Sequence, residues 1–195
     1  MTTALFVVDI QNDFTEGGAL AVSGGARVAE AVTEHLRRDA GRYDLVLASR
    51  DWHEGDTDNG GHFSDEPDFV DTWPVHCVAG TTGAEYHPAL DASLVGVHVT
   101  KGTGSPAYSL FEGVADDGST AAEVLAARGV TDVEVVGLAT DHCVRASALD
   151  AARLGLRVRV LTDLVAGVGA ESSEAALAEL RAAGVETTTS TEAAA

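Results

Sequence analysis

An α/β fold, with a mostly parallel sheet covered by helices on both faces, is predicted by three features of the chain. Short β-branched runs alternate with segments of helical period from one end to the other. The strand-like runs are apolar almost throughout, as strands buried on both faces are. Asp9, Asp51, Lys101 and Cys143 each stand at or just past the end of such a run. Right-handed crossovers in a parallel sheet bring strand carboxyl ends to one rim, where sites form.

Ala4-Leu5-Phe6-Val7-Val8-Asp9-Ile10 is the first buried strand, and its acid must be paired or held for chemistry to remain there. Val28, Ala31, Val32, His35 and Leu36 keep helical spacing from Gly24 to about Ala40, where Gly41 stops the helix. His35 lies on that apolar stripe and reads as a core-edge residue. Asp44-Leu45-Val46-Leu47-Ala48-Ser49-Arg50 is the second strand. Residues 51–88 then lack periodicity, and an irregular stretch of that length inside a domain is commonly functional. It holds four of the seven histidines, three of the four prolines and both tryptophans.

Residues 94–101 resume the strand pattern. Thr120 and Glu123 form a capping box for a helix carrying Val124 and Leu125 and ended by Gly129. Residues 132–138 are a strand, and Val144, Ala148, Ala151 and Ala152 then trace the core face of a helix. Thr140 reads as the N-cap of that helix, which leaves Cys143 in its first turn. Free N–H groups and the helix dipole favour a thiolate there. Residues 157–161 form another strand, Ser173, Ala176, Leu177 and Leu180 a last helix, and residues 185–188 a final strand. Residues 1–188 are expected to form a single domain, with 189–195 a frayed tail.

With 45% hydrophobic residues the chain is not of the disordered class. A formal charge of −19 argues against nucleic acid or an anionic membrane as partner, since both need clustered Lys and Arg. No apolar run approaches the ~20 residues of a membrane span, and the first strand is too short for a signal segment. Cys77 and Cys143 are the two cysteines, and reduced thiols in a cytoplasmic protein fit them better than a secreted disulfide framework.

Two groups of residues carry chemistry. A free thiol titrates near ~8.5, so Cys143 needs a base, and Asp9 can take its proton while Lys101, the only lysine, holds that carboxylate ionised. Backbone N–H groups of Ala139 and Cys143 are available to an oxyanion. The alternative is a structural Asp9–Lys101 ion pair beside an inert cysteine. Asp51 and His53, with His62 and His76, offer three imidazoles and a carboxylate suited to Zn²⁺, Mn²⁺ or Fe²⁺. His87 competes as a ligand but reads as structural. Phe14, Trp73 and Tyr108 sit in loops beside these groups and could sandwich a flat ring or cover the core.

Val8-Asp9-Ile10-Gln11-Asn12-Asp13-Phe14, Arg50-Asp51-Trp52-His53, His62-Phe63-Ser64, Trp73-Pro74-Val75-His76-Cys77, Lys101-Gly102 and Ala139-Thr140-Asp141-His142-Cys143-Val144 together resemble the nicotinamidase/pyrazinamidase branch of the isochorismatase-like cysteine hydrolases. The likeness spans residues 4–185. It implies a Rossmann-like three-layer α/β/α fold with a six-stranded, mostly parallel sheet. It implies hydrolysis of nicotinamide, and of pyrazinamide, to the acid and ammonia in NAD salvage. Cys143 would be the nucleophile, Asp9 the proton carrier, Lys101 their partner and Ala139 an oxyanion donor. Asp51, His53, His62 and His76 would hold one divalent metal ion, zinc first, with iron or manganese as alternatives. Phe14, Trp73, Tyr108, Leu138 and His142 would form the site for a pyridine carboxamide, and Leu138–Ala139 would be a cis peptide. Residues 54–61 make a longer gap between the second and third metal ligands than is usual in the family.

Three other readings remain. A related amidohydrolase acting on another small amide or ureido compound would lack the three-histidine set. A non-catalytic metal-binding domain would release no ammonia, and a redox sensor would bridge Cys77 to Cys143. Monomer and homo-oligomer are both compatible with the sequence.

Overall fold

Side chains alternate across a strand, and the first strand, β1 (Thr3–Val8), shows what that alternation builds. Ala4, Phe6 and Val8 pack into one apolar cluster, whereas Leu5 and Val7 pack into another on the opposite face. A strand buried on both sides is the centre of a three-layer α/β/α structure. The computed structural model describes residues 1–39 and 41–193.

The helix α1 (Gly25–Arg38) follows β1 and covers one face through Val28, Val32 and Leu36. It stops at Arg38; Ala40, to which the spacing carried the helix, lies outside the described residues. Next come β2 (Leu45–Asp51), the long irregular segment, β3 (Val97–Lys101) and the two-residue strand β4 (Val114–Ala115). The capping box of Thr120 and Glu123 starts α2 (Ala121–Arg128), and Gly129 ends it in the left-handed region. After β5 (Asp132–Leu138) come α3 (Arg145–Arg153), β6 (Arg157–Ala166), α4 (Ala170–Ala182), β7 (Glu186–Thr188) and α5 (Ser190–Ala193). Leu125 of α2, Ala148 and Ala151 of α3 and Leu180 of α4 cover the face opposite α1.

The sheet has seven strands in the order β4-β3-β2-β1-β5-β6-β7, parallel throughout except for β4 against β3. The strand beyond the expected six is β4, whose two residues are too few to show a period in sequence. Strand order reverses direction between β1 and β5, so β3, β2, β1 and β5 end side by side at a topological switch point. Gly137 permits the close approach of β1 and β5 there: a Cβ on it would meet Val8 O at 2.1 Å.

Two expectations are revised. Within the tail expected to fray, residues 190–193 form a helix, with Asp163 accepting both Ser190 N and Ser190 Oγ at 2.7 Å, and residues 194–195 lie outside the described residues. Cys143 lies in a π-turn (Thr140–Val144) that precedes α3, and Thr140 does not cap it with its side chain. The N–H groups of both His142 and Val144 donate to Ala139 O, at 3.0 and 3.2 Å, which widens the turn. Among the described residues, no helix is long and apolar enough to cross a membrane.

Candidate active site

The carboxyl ends of the four neighbouring strands deliver one reactive group each. Asp9 follows β1 with φ 45°, an uncommon conformation for a residue other than glycine and one found at sites where geometry is enforced. Asp51 closes β2 and Lys101 closes β3 directly opposite it in the register. Cys143 hangs from the π-turn after β5.

Lys101 Nζ is the hub. It forms an ion pair with Asp9 Oδ2 at 2.9 Å, makes a short contact with Asp51 Oδ1, and lies 3.4 Å from Ala107 O and 3.7 Å from Cys143 Sγ. Ser49 Oγ donates to the other Asp9 oxygen at 2.7 Å. One carboxylate oxygen from each of Asp9 and Asp51 lies within 4.8 Å of the Cys143 sulfur and of the other. All of these side chains are buried.

Two acids, one ammonium and one thiol in a buried space set each other's protonation. Burial alone pulls Lys101 down, but Asp51 and Asp9 raise it well above the ordinary lysine value, so it is charged. Burial alone pushes Asp51 up, yet Lys101, His53 and His76 hold it below the usual carboxylate range. Burial raises Asp9 and, joined by the Asp51 charge, outweighs the pull of Lys101. Burial also raises the Cys143 thiol well above its ordinary value, with Asp9 and Asp51 adding to the rise and Lys101 opposing it. Cys143 rests as a thiol next to a carboxylate of increased basicity.

Beside this group, His53, His62 and His76 each present a ring nitrogen, and the three lie within 4.8 Å of one another. His53 Nδ1–H donates to Gly102 O at 2.7 Å and His76 Nδ1–H to Pro74 O at 2.8 Å, which turns both Nε2 atoms inward. Those Nε2 atoms lie 3.7 and 3.8 Å from Asp51 Oδ2. His53 Nε2 and His62 Nδ1 are buried without a hydrogen-bond partner. Orphaned buried nitrogens beside a carboxylate, with outer nitrogens oriented by carbonyls, are a donor set that suits a divalent metal ion. Gly102 (φ 80°) lets the ring approach, because a Cβ there would meet His53 Cε1 at 2.5 Å.

Burial, with His53 and His76 close by, lowers His62 to about 4. A folded value of about 4 against the ordinary 6.5 means that the unfolded chain binds more protons between those limits. The contribution is therefore complete above pH ~6.5 and is lost as pH falls toward ~4. The chelator-treated chain should lose more stability between pH 7 and 4.5 than its His62→Gln variant. Urea midpoints of the two proteins measure the difference, and equal losses would refute the assignment.

A cavity of about 250 Å³ opens over the sulfur, lined among others by Phe14, Trp73, Tyr108, Ala139, His142 and Cys143. Trp73 Nε1–H donates to Tyr108 Oη at 3.0 Å, and the Trp73 and His142 rings meet edge to face at 5.1 Å. Phe14 tilts against His76 at 5.6 Å. The walls are aromatic and flat, and the floor holds the sulfur and the metal-type donors. The space suits a small planar ring carrying one reactive substituent.

The isochorismatase domain model matches residues 3–192. The chain belongs to the isochorismatase family. It is 52% identical over 183 residues to the nicotinamidase/pyrazinamidase of Mycobacterium tuberculosis, covering 94% of this chain and 96% of that protein. The pyrazinamidase of Pyrococcus horikoshii, solved in complex with zinc, superposes with a TM-score of 0.81 at 37% identity, over 97% of this chain and 99% of that one. PnC1 of L. infantum, solved in complex with nicotinate, superposes at 0.83 with 33% identity, over 97% and 93% of the two chains.

Within this isochorismatase-family chain, the structure gathers Asp9, Lys101 and Cys143 at one point and His53, His62, His76 and Asp51 at another. The longer segment 54–61 leaves His62 facing its partners. Leu138 is placed differently from expectation: it is fully buried in the cluster with Leu5, Val7 and Ile10 and does not line the cavity. The Leu138–Ala139 peptide is cis. His35 is tied to Tyr43 Oη at 2.5 Å and His87 Nδ1 to Ala89 N at 3.2 Å, both outside the histidine group. Cys77 and Cys143 are free thiols.

Sequence reasoning missed three features. Asp51 serves both groups at once, one oxygen on Lys101 and the other toward the histidines. Gln11 clamps its backbone, accepting Asp51 N at 2.8 Å and donating to Asp51 O at 2.9 Å. Ser49 orients Asp9. Only the neighbouring motif residues hinted at either polar side chain.

Proposed function

We propose that the chain is a nicotinamidase that also accepts pyrazinamide, hydrolysing the carboxamide to carboxylate and ammonia through a thioester on Cys143. The observation that carries this reading is a buried thiol, flanked by a basic carboxylate and an ammonium, opening into an aromatic, ring-sized cavity beside three inward-facing histidines.

The cavity presents the carboxamide carbon of the bound ring to Cys143 Sγ. Asp9 takes the thiol proton as sulfur attacks, and Lys101 holds Asp9 and Asp51 while balancing their charge. The N–H groups of Ala139 and Cys143 receive the developing oxyanion. Asp9 returns the proton to the amide nitrogen, the C–N bond breaks and ammonia leaves. A water molecule, deprotonated by Asp9, then attacks the thioester; the C–S bond breaks, sulfur regains a proton and the pyridine carboxylate is released. Asp51, His53, His62 and His76 would hold a divalent ion, zinc being the first choice for three imidazoles and a carboxylate, which supplies a Lewis acid for the ring nitrogen and for ordered water. Trp73, Phe14, His142 and Tyr108 orient the ring and exclude bulk water.

An ammonia-release assay tests the proposal. Nicotinamide and pyrazinamide should each yield one ammonia per acid formed, and a ureido substrate should yield none. Removing the metal with a chelator should lower turnover at least about tenfold, with recovery on adding zinc. Ammonia from the ureido compound alone would favour the related amidohydrolase instead.

A further inference from the structure

Of the residues between His53 and His62, from Glu54 to Gly61, Asn59 is the one that is buried. It is fully enclosed, yet it is polar, so no apolar core explains it. Its carboxamide is fully used. Oδ1 accepts Glu54 N at 2.9 Å and Gly104 N at 3.1 Å; Nδ2 donates to Glu54 O at 2.8 Å and to Thr57 O at 3.4 Å. The paired bonds to Glu54 copy those of a strand neighbour.

These partners flank the metal-type ligands. Glu54 follows His53, and Gly104 stands two residues after Gly102, whose carbonyl orients His53. On the far side, Phe63 N donates to Asp58 O at 2.9 Å, and His62 O accepts Trp73 N at 2.9 Å. One buried amide thus joins the segment after His53, the loop before His62 and the turn that aims His53. We propose that Asn59 is a positioning residue for the metal site, fixing the loop that carries His62 so that three imidazoles are preorganised for a divalent cation. The proposal rests on the metal reading of the histidine group given above.

Preorganisation raises affinity because the ordering of ligands is complete before the ion arrives, and supporting residues of this kind commonly change metal affinity by about 10- to 100-fold. The cleanest test uses the backbone of the site. Asn59 has φ 48°, so Asn59→Gly removes the carboxamide without imposing strain, whereas Ala would add it. Zinc affinity is measured by competition with a chelating dye on the full chain, and cobalt substitution reports ligand geometry through its visible absorption. Asn59→Gly should bind zinc at least about tenfold more weakly and alter the cobalt spectrum. Asn59→Asp keeps both accepted bonds but loses both donated ones, and it should also weaken zinc. Asp56→Ala, exposed in the same loop, should not.

Zinc affinity within twofold of wild type for Asn59→Gly, or an equal loss in Asp56→Ala, would overturn the proposal even if the metal-free variant melts at a lower temperature. A wild-type chain that takes up no zinc or cobalt would instead overturn the metal reading itself. The two failures are therefore distinguishable.

Discussion

Cys143→Ala should abolish ammonia release from nicotinamide, a loss of about 10⁴-fold or more, while leaving the fold and the bound metal in place. The size of the effect follows from the role: nothing else in the buried group carries a nucleophilic sulfur, and Asp9 and Lys101 have no reaction to promote without it. Structure should be spared because Cys143 is small, and its neighbours Lys101, Asp9 and Asp51 keep each other paired. Cys143→Ser is the sharper comparison. An alcohol is a far weaker acid than a thiol, so a carboxylate base cannot deprotonate it usefully, and activity should also be lost. If Cys143 merely filled space, alanine would retain turnover. Ammonia release near the wild-type rate from either variant would sink the thioester scheme, and mass analysis of trapped enzyme should find the acyl adduct on Cys143 alone.

The second large effect belongs to Lys101→Met, which keeps most of the side-chain volume and deletes the charge. Asp9 and Asp51 would then face each other, buried, with no ammonium between them. Breaking a buried ion pair by removing one partner costs ~3–5 kcal/mol, because the charge left behind is uncompensated. The pH dependence identifies the cause. Without Lys101, burial and mutual repulsion raise at least one of the two carboxyl groups above its unfolded value, so the folded chain binds the extra proton. Stability conferred by that proton is present at low pH and lost as pH rises through the raised value. The deficit of Lys101→Met relative to wild type should therefore be larger at pH 8 than at pH 5. Turnover should fall about 10³-fold, since a protonated Asp9 cannot accept the thiol proton. Urea midpoints at the two pH values decide it: a deficit independent of pH would mean that Lys101 does not neutralise these acids.

Much of this arrangement was legible in the chain, and the reason is topological. A parallel sheet maps strand ends to one rim, so the positions of Asp9, Asp51, Lys101 and Cys143 at the ends of apolar runs carried their proximity. The Thr120–Glu123 capping box was readable because its interactions are local. Less local features were not. The two-residue β4 shows no period, and the helical tail at Ser190 depends on Asp163 from another element. Leu138, just before the Ala139–Val144 motif, was expected from the family resemblance to contact substrate, yet its side chain packs into the core.

The alternation of strands and helices, the charged rim and the spread of histidines through an irregular segment are properties of the amino-acid order alone. Tertiary structure decided how the groups share protons and partners. The division of Asp51 between an ammonium and two imidazoles, the thiol form of Cys143 and the fastening of residues 54–61 by Asn59 all rest on burial and on hydrogen bonds between segments distant along the chain. Desolvation is set by what surrounds a group in space, and no window of sequence contains that information.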